Sequence, residues 1–224
     1  MANSKSNLAY EKYWLRKQAL ASTPLHFPLK RWWRTDGLSE IEACYFEAVR
    51  DRESILDVGA GDLRVKEKMI RAGYSGLYHT MDIGGEYQHT YNSLDQVDRK
   101  YAAIICLDVI EHMTLADGLQ MLARFMELLN DDGIVVLQTP NAKCVRDPMA
   151  WDMTHLHIYN LLDLWAHFKS HGFDAAGYRV WFVKERPSVI DRFGMLLTRL
   201  AVARIIGADY ADNILIIAQR RRGI

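Results

Sequence analysis

The segment Ile55-Leu56-Asp57-Val58-Gly59-Ala60-Gly61-Asp62-Leu63 constrains this chain more than any other. Two glycines separated by one residue stand between a short apolar run of strand type and a stretch with helical spacing. That arrangement lets the backbone turn sharply and lets a ligand approach where a Cβ would collide. A dinucleotide fingerprint would place a third glycine at position 64, but Arg64 stands there. Asp57, two positions before the first glycine, would repel a pyrophosphate and favours a ligand carrying an ammonium group or hydroxyls. The alternative is a tight turn without a ligand.

Around this motif, strand and helix patterns alternate. Ser39-x-x-Glu42 has the spacing of a capping box, predicting a helix to about Arg50. Strands are expected at Ile55–Val58, Leu77–Asp82, Ala102–Leu107, Ile134–Thr139, Tyr178–Val183 and Ile214–Gln219. Helices are expected at Ala9–Leu20, Leu63–Ala72, Leu115–Leu129, Leu161–His171 and Ile190–Ile206. Such alternation implies an α/β fold, a parallel sheet covered by helices on both faces. Ligands of such sheets bind beyond the carboxyl ends of the strands, where strand order reverses. Chemistry is therefore expected just after Val58, Asp82, Leu107 and Thr139.

The 224 residues suit one domain of the larger single-sheet kind. Residues 1–36 read as a basic arm or lid and 37–224 as the main domain, with a helical insertion at 185–212 before the last strand. Formal charge is zero, but it is segregated. Residues 1–34 hold seven cations and one acid (+6), residues 35–178 twelve and 23 (−11), and residues 179–224 nine and four (+5). The zero balance argues against a dedicated nucleic-acid binder. Basic ends carrying Trp14, Trp32, Trp33 and Arg220-Arg221-Arg222 would suit an anionic substrate or peripheral contact with a membrane surface. The bland reading is an arm packed as a lid and a buried or dimer-forming apolar helix; whether identical copies associate stays open. Cys44, Cys106 and Cys144 are far apart and odd in number, which supports neither disulfides nor a cysteine metal site and suits the cytoplasm. No secretory signal is read at the N-terminus.

Asp82 closes the second expected strand, 25 positions after Asp57, where a carboxylate can accept both hydroxyls of a ribose. With Asp82 in place, the combination of ILDVGAGDLR, YAAIICLDVIEHM and DDGIVVLQTPN resembles the class I S-adenosylmethionine-dependent methyltransferases. Cys106–His112, Thr139-Pro140-Asn141 and Asp152–Tyr159 are particularly similar to the ubiquinone-biosynthesis O-methyltransferase type. The resemblance spans roughly residues 38–184. It implies a Rossmann-like, seven-stranded, mostly parallel sheet with the last strand reversed, and S-adenosyl-L-methionine as cofactor. By the same resemblance Asp57, Gly59, Ala60 and Gly61 would line the methionine end. Asp82 and Ile83 would hold the ribose end, Leu94 and Asp95 would flank the adenine, and Leu107 and Asp108 would close the other side. Leu63 stands where many relatives have a third glycine, and a strand around Tyr87–Ser93 is only weakly marked.

Methyl transfer to a hydroxyl is helped by a general base, and His155, His157, His112 and Glu111 are the candidates near the strand ends. His155 and His157 alternate by two, so an extended segment would point both the same way. Two histidines without a third ligand leave a metal centre poorly supported. His112 and Glu111 could instead only orient the following helix. The expected function is O-methylation of a small-molecule, saccharide or lipid-linked hydroxyl. An RNA-binding methyltransferase and a non-catalytic S-adenosylmethionine-binding protein are the alternatives.

Overall fold

The computed structural model describes residues 11–24, 26–183, 193–194, 197–198, 201, 205 and 207–221. Element order is α1 (Tyr13–Ala21), β1 (Leu29–Trp32), α2 (Glu40–Val49), β2 (Ser54–Val58), α3 (Arg64–Arg71), β3 (Leu77–Met81), β4 (Tyr101–Leu107), α4 (Leu115–Leu128), β5 (Leu129–Pro140), α5 (Leu161–Ser170), β6 (Phe173–Phe182) and β7 (Asn213–Arg220). The seven strands form one sheet in the order β1-β6-β7-β5-β4-β2-β3. β7 runs antiparallel to β5 and β6, and every other pairing is parallel. The α/β sheet with its last strand reversed is as the sequence implies.

The identity of the seventh strand is not. The stretch after Asp82 makes only an isolated bridge between Met81 and Tyr91 and a short 3-10 turn at Leu94–Gln96. In its place, Leu29–Trp32 of the basic arm pairs in parallel with Arg179–Phe182 and forms the opposite edge. Residues 87–93 read Tyr-Gln-His-Thr-Tyr-Asn-Ser and offer few apolar side chains for a sheet face. Arg31 and Trp32 by contrast are tied down, Trp32 against Phe182 and Arg31 against Glu40. The expected helix Ile190–Ile206 lies largely outside the described residues.

Side-chain alternation along the central strands builds two cores. Ile104 and Cys106 of β4, with Leu56 and Val58 of β2, face α4 and α5 and pack with Leu122, Phe125, Trp165 and Phe168. Ala103, Ile105 and Ile55 face α2 and α3 and pack with Ile41, Tyr45, Val49 and Met69. β2 is buried along its whole length, as expected for a central parallel strand. Truncating a fully buried side chain such as Leu122 would cost about 2–5 kcal/mol. Between α2 and α3, Glu42 accepts from the Ser39 amide at 2.7 Å and from the Lys68 ammonium at 2.8 Å, which locks the two helices together above the β2 loop.

Candidate functional site

β2 pairs with β3 on one side and β4 on the other, so the chain reverses direction across the sheet at the carboxyl end of β2. Loops leaving β2 and β4 diverge there and open a crevice. A cavity of about 860 Å³ occupies it, lined by Asp57, Gly59, Ala60, Gly61, Leu107 and Asp108, with Tyr45, Trp32 and Arg34 among the residues closing the other walls.

The two glycines do different work. A Cβ on Gly59 would stand 2.1 Å from Val109 Cγ2, so this position is glycine because the β4 loop packs against it. The expectation that a side chain there would take the ligand's space is therefore corrected: Val109 already occupies it. A Cβ on Gly61 would meet nothing within 4 Å, which leaves the approach to the backbone open. Both glycines have positive φ, +73° and +46°. Leu63 also adopts the left-handed region, at φ 64°, so the loop keeps a glycine-like backbone without the glycine. For a leucine this costs roughly 1–2 kcal/mol.

Three carboxylates converge on this loop. Asp82 accepts from the Gly61 amide at 2.8 Å and from the Gly84 amide at 2.8 Å, while the Gly59 amide donates to the Met81 carbonyl at 2.8 Å. Asp57 is 2% exposed and accepts from Tyr78 Oη at 2.8 Å. Burial pushes its carboxyl up to about 7, with Tyr78 working against the rise and Asp82 adding to it. Asp108 sits at φ 55° and is exposed at the strand end, where two amides hold its carboxylate. It accepts from Gln138 Nε2 at 3.0 Å and Asn213 Nδ2 at 2.6 Å. Burial raises its pKa and these amides oppose the rise. Ile83 is 89% exposed beside Asp82, whereas Leu94 packs toward the core and Asp95 lies in the 3-10 turn; none of these three lines the cavity, and Asp82 meets its lining only through the Gly61 amide.

The candidate bases separate into two places. His112 and His155 face each other with ring centroids 5.0 Å apart, and both are close enough to Asp108 for their charge to lower its pKa. Glu111 is 1% exposed and accepts from Thr139 Oγ1 at 2.9 Å; burial, with Asp108 nearby, pushes its carboxyl up to about 8. One nitrogen of each imidazole and one Glu111 oxygen lie within 4.8 Å of one another. Among the described residues this is the set whose donor atoms are close enough to share a metal ion. His157 is elsewhere. Its ring meets Tyr159 at 4.7 Å and lines a separate cavity of about 400 Å³ under α1, with Arg16, Lys17 and His167. The pairing of His155 with His157 fails because the chain turns at Asp152–His155 and both the Leu156 and His157 amides then donate to the Glu111 carbonyl. Glu111 thus divides the two histidines.

Sequence reasoning missed the groups that hold these residues: Gln138 and Asn213 on Asp108, Thr139 on Glu111, Thr154 on His112 and the Pro148 carbonyl on His155. A glutamine inside the apolar run Val135–Thr139 was the available signal, because an amide in a buried strand needs a partner.

Comparison with known proteins follows the same lines. The family model described as a methyltransferase domain matches residues 33–177. No curated protein matches. Among solved structures, a SAM-dependent methyltransferase from Archaeoglobus fulgidus is similar with TM-score 0.59 at 15% identity, covering 80% of this chain and 93% of that one. Magnesium protoporphyrin IX methyltransferase from Synechocystis PCC 6803, with bound SAM, gives TM-score 0.50 at 14% identity over 99% and 87%. An O-methyltransferase family protein from Burkholderia thailandensis gives 0.52 at 10% over 83% and 57%. The glycine loop and the acids around it lie inside the matched span, and the chain belongs to the methyltransferase-domain family.

Proposed function

We propose that this methyltransferase uses S-adenosylmethionine to methylate a hydroxyl of a small-molecule, saccharide or lipid-linked acceptor, with His112 and His155 receiving the hydroxyl proton. The observation that carries the reading is the imidazole pair standing beside Asp108, at the same strand end that borders the glycine-loop cavity. When bound, the cofactor supplies a methyl group already activated as a sulfonium, so the chain's part is placement. Gly61 leaves the loop backbone approachable. Asp57 and Asp108 set carboxyls against the cavity where cationic groups would lie, and Asp82, held behind Gly61 by two amides, is the carboxylate for the ribose hydroxyls in this reading. Ile83 offers a bare apolar face next to it.

The chain's own part in the transfer would be to receive the acceptor's hydroxyl proton at an imidazole nitrogen as the methyl group is passed from the sulfonium to that oxygen. His157 takes no part in this reading, since it lies in the other cavity. Similarity of Asp152–Tyr159 to the ubiquinone-biosynthesis type supports the hydroxyl as acceptor. Peripheral contact with an anionic membrane belongs to the same proposal and is supported by α1, where Trp14 is 75% exposed beside Arg16 and Lys17. Among the described residues no helix is long and apolar enough to cross a membrane.

Tritiated S-adenosylmethionine incubated with the full chain and a panel of phenols, saccharides and lipid extracts tests the reading. The label should appear as a methyl ether. His112→Ala and His155→Ala should each lower turnover roughly 10²–10⁴-fold, while His157→Ala stays within a few-fold. Label on nitrogen or carbon, or full activity in both of the first two variants, would refute it. A second reading, favoured by the 4.8 Å convergence, has Glu111, His112 and His155 share a divalent ion. Loss of activity on chelation, restored by magnesium or zinc, selects that version.

A further inference from the structure

We propose that Asp152 and Thr154 are positioning residues that fix the tautomer of His112, and that the Pro148 carbonyl fixes His155 in the same way, so that both imidazoles keep Nδ1 protonated and Nε2 bare. The inference rests on the reading of His112 and His155 as the proton-accepting pair and adds the residues that prepare them.

Counting hydrogens leads to it. Asp152 Oδ1 accepts from the Thr154 amide at 2.9 Å and stands 2.6 Å from Thr154 Oγ1. The carboxylate is held in its ionised form by these two bonds, which lower its pKa. It has no proton to give, so the hydrogen in the 2.6 Å contact is the threonine's own. A hydroxyl carries one hydrogen. Having given it to Asp152, Thr154 Oγ1 meets His112 Nδ1, 2.8 Å away, with a lone pair, and Nδ1 must donate. His155 Nδ1 lies 2.7 Å from the Pro148 carbonyl oxygen, which can only accept, so it too must donate. Neutral imidazole has one N–H, and in both rings Nε2 is left with its lone pair.

The supports lie in the sequence near the groups they serve. Pro148 opens a 3-10 turn, Pro148–Ala150, and Trp151 Nε1 donates to the Arg146 carbonyl at 2.8 Å, which pins the loop carrying both partners. Asp152 and Thr154 then turn the chain so that His155 meets His112 across the site. The tautomer is therefore set by an outer layer of contacts, as for ligating or catalytic histidines generally.

Long-range proton–nitrogen NMR spectra of the full chain with ¹⁵N-labelled histidine, at a pH where the imidazoles are neutral, test this directly and need no acceptor. Signals are assigned from His112→Gln and His155→Gln. His112 and His155 should both show the Nδ1–H form. Thr154→Val should move His112 to the Nε2–H form or to a mixture, Thr154→Ser should restore Nδ1–H, and His155 should be unchanged in both. Thr154 is exposed, so these variants are expected to fold; amide spectra check it. An Nε2–H signal for His112 in the parent chain, or no change in Thr154→Val, overturns the proposal. Failure of the methyltransferase reading would show separately, as absence of S-adenosylhomocysteine binding with the tautomers as stated.

Discussion

The loop after β2 and the loop before α5 both border the site, but they are built on opposite principles. Residues 59–63 rely on backbone: positive φ at Gly59, Gly61 and Leu63, and amides donated to Asp82 and Met81. Residues 146–157 rely on side chains and carbonyls reaching across a loop, with Thr154, His155 and Trp151 each tied by a specific bond. A backbone-built region leaves a short motif that can be read in one line of sequence. A side-chain-built region depends on where distant segments meet, and its logic appears only in three dimensions.

The sharpest way to break the first region is Gly59→Val. The added carbon atoms collide with Val109 and the residue is forced to a φ of +73°, so a loss of roughly 2–4 kcal/mol in folding stability is expected by chemical denaturation. Pairing it with Val109→Ala should recover part of the loss, because Val109 Cγ2 is the first atom met. Full additivity of the two substitutions would show that the clash is not the cause.

The second region can be probed through Glu111. Its carboxyl is raised to about 8, above its ordinary value of 4.5, so the folded chain holds this proton after the unfolded chain has released it. Its effect is a loss of stability as pH rises from about 4.5 to 8. Glu111→Gln keeps the shape and removes the ionisation. It should raise the melting temperature relative to the parent at pH 8.5, by roughly 1–3 kcal/mol of stability, and do little at pH 4.5. Equal effects at the two pH values would mean that Glu111 is not held neutral by burial.

Legibility follows the same division. The strand–glycine–helix unit and the position of Asp82 could be read because local spacing decides them, while the reversed last strand came only through the resemblance to the methyltransferases. The pairing of Leu29–Trp32 with β6 could not, since its partner lies about 150 residues away and edge pairing leaves no periodic mark in so short a segment. The sequence pairs His155 with His157, whereas the structure sets its ring against His112. The i, i+2 rule presumes an extended chain, whereas the hydrogen bond from the His155 amide to the Asp152 carbonyl folds it. Gly59 was read as making room for a ligand because a sequence does not show Val109 filling that room.

The central claim is that the cleft between the glycine loop and Asp108 holds the methyl donor. Calorimetric titration of the full chain with S-adenosylhomocysteine tests it most directly. The account predicts one site with low-micromolar affinity, about −8 kcal/mol, weakened by roughly 1–3 kcal/mol in Asp82→Ala, which removes a carboxylate anchored at 2.8 Å by the Gly61 amide. No binding, binding unchanged in Asp82→Ala, or preference for NADH would contradict it.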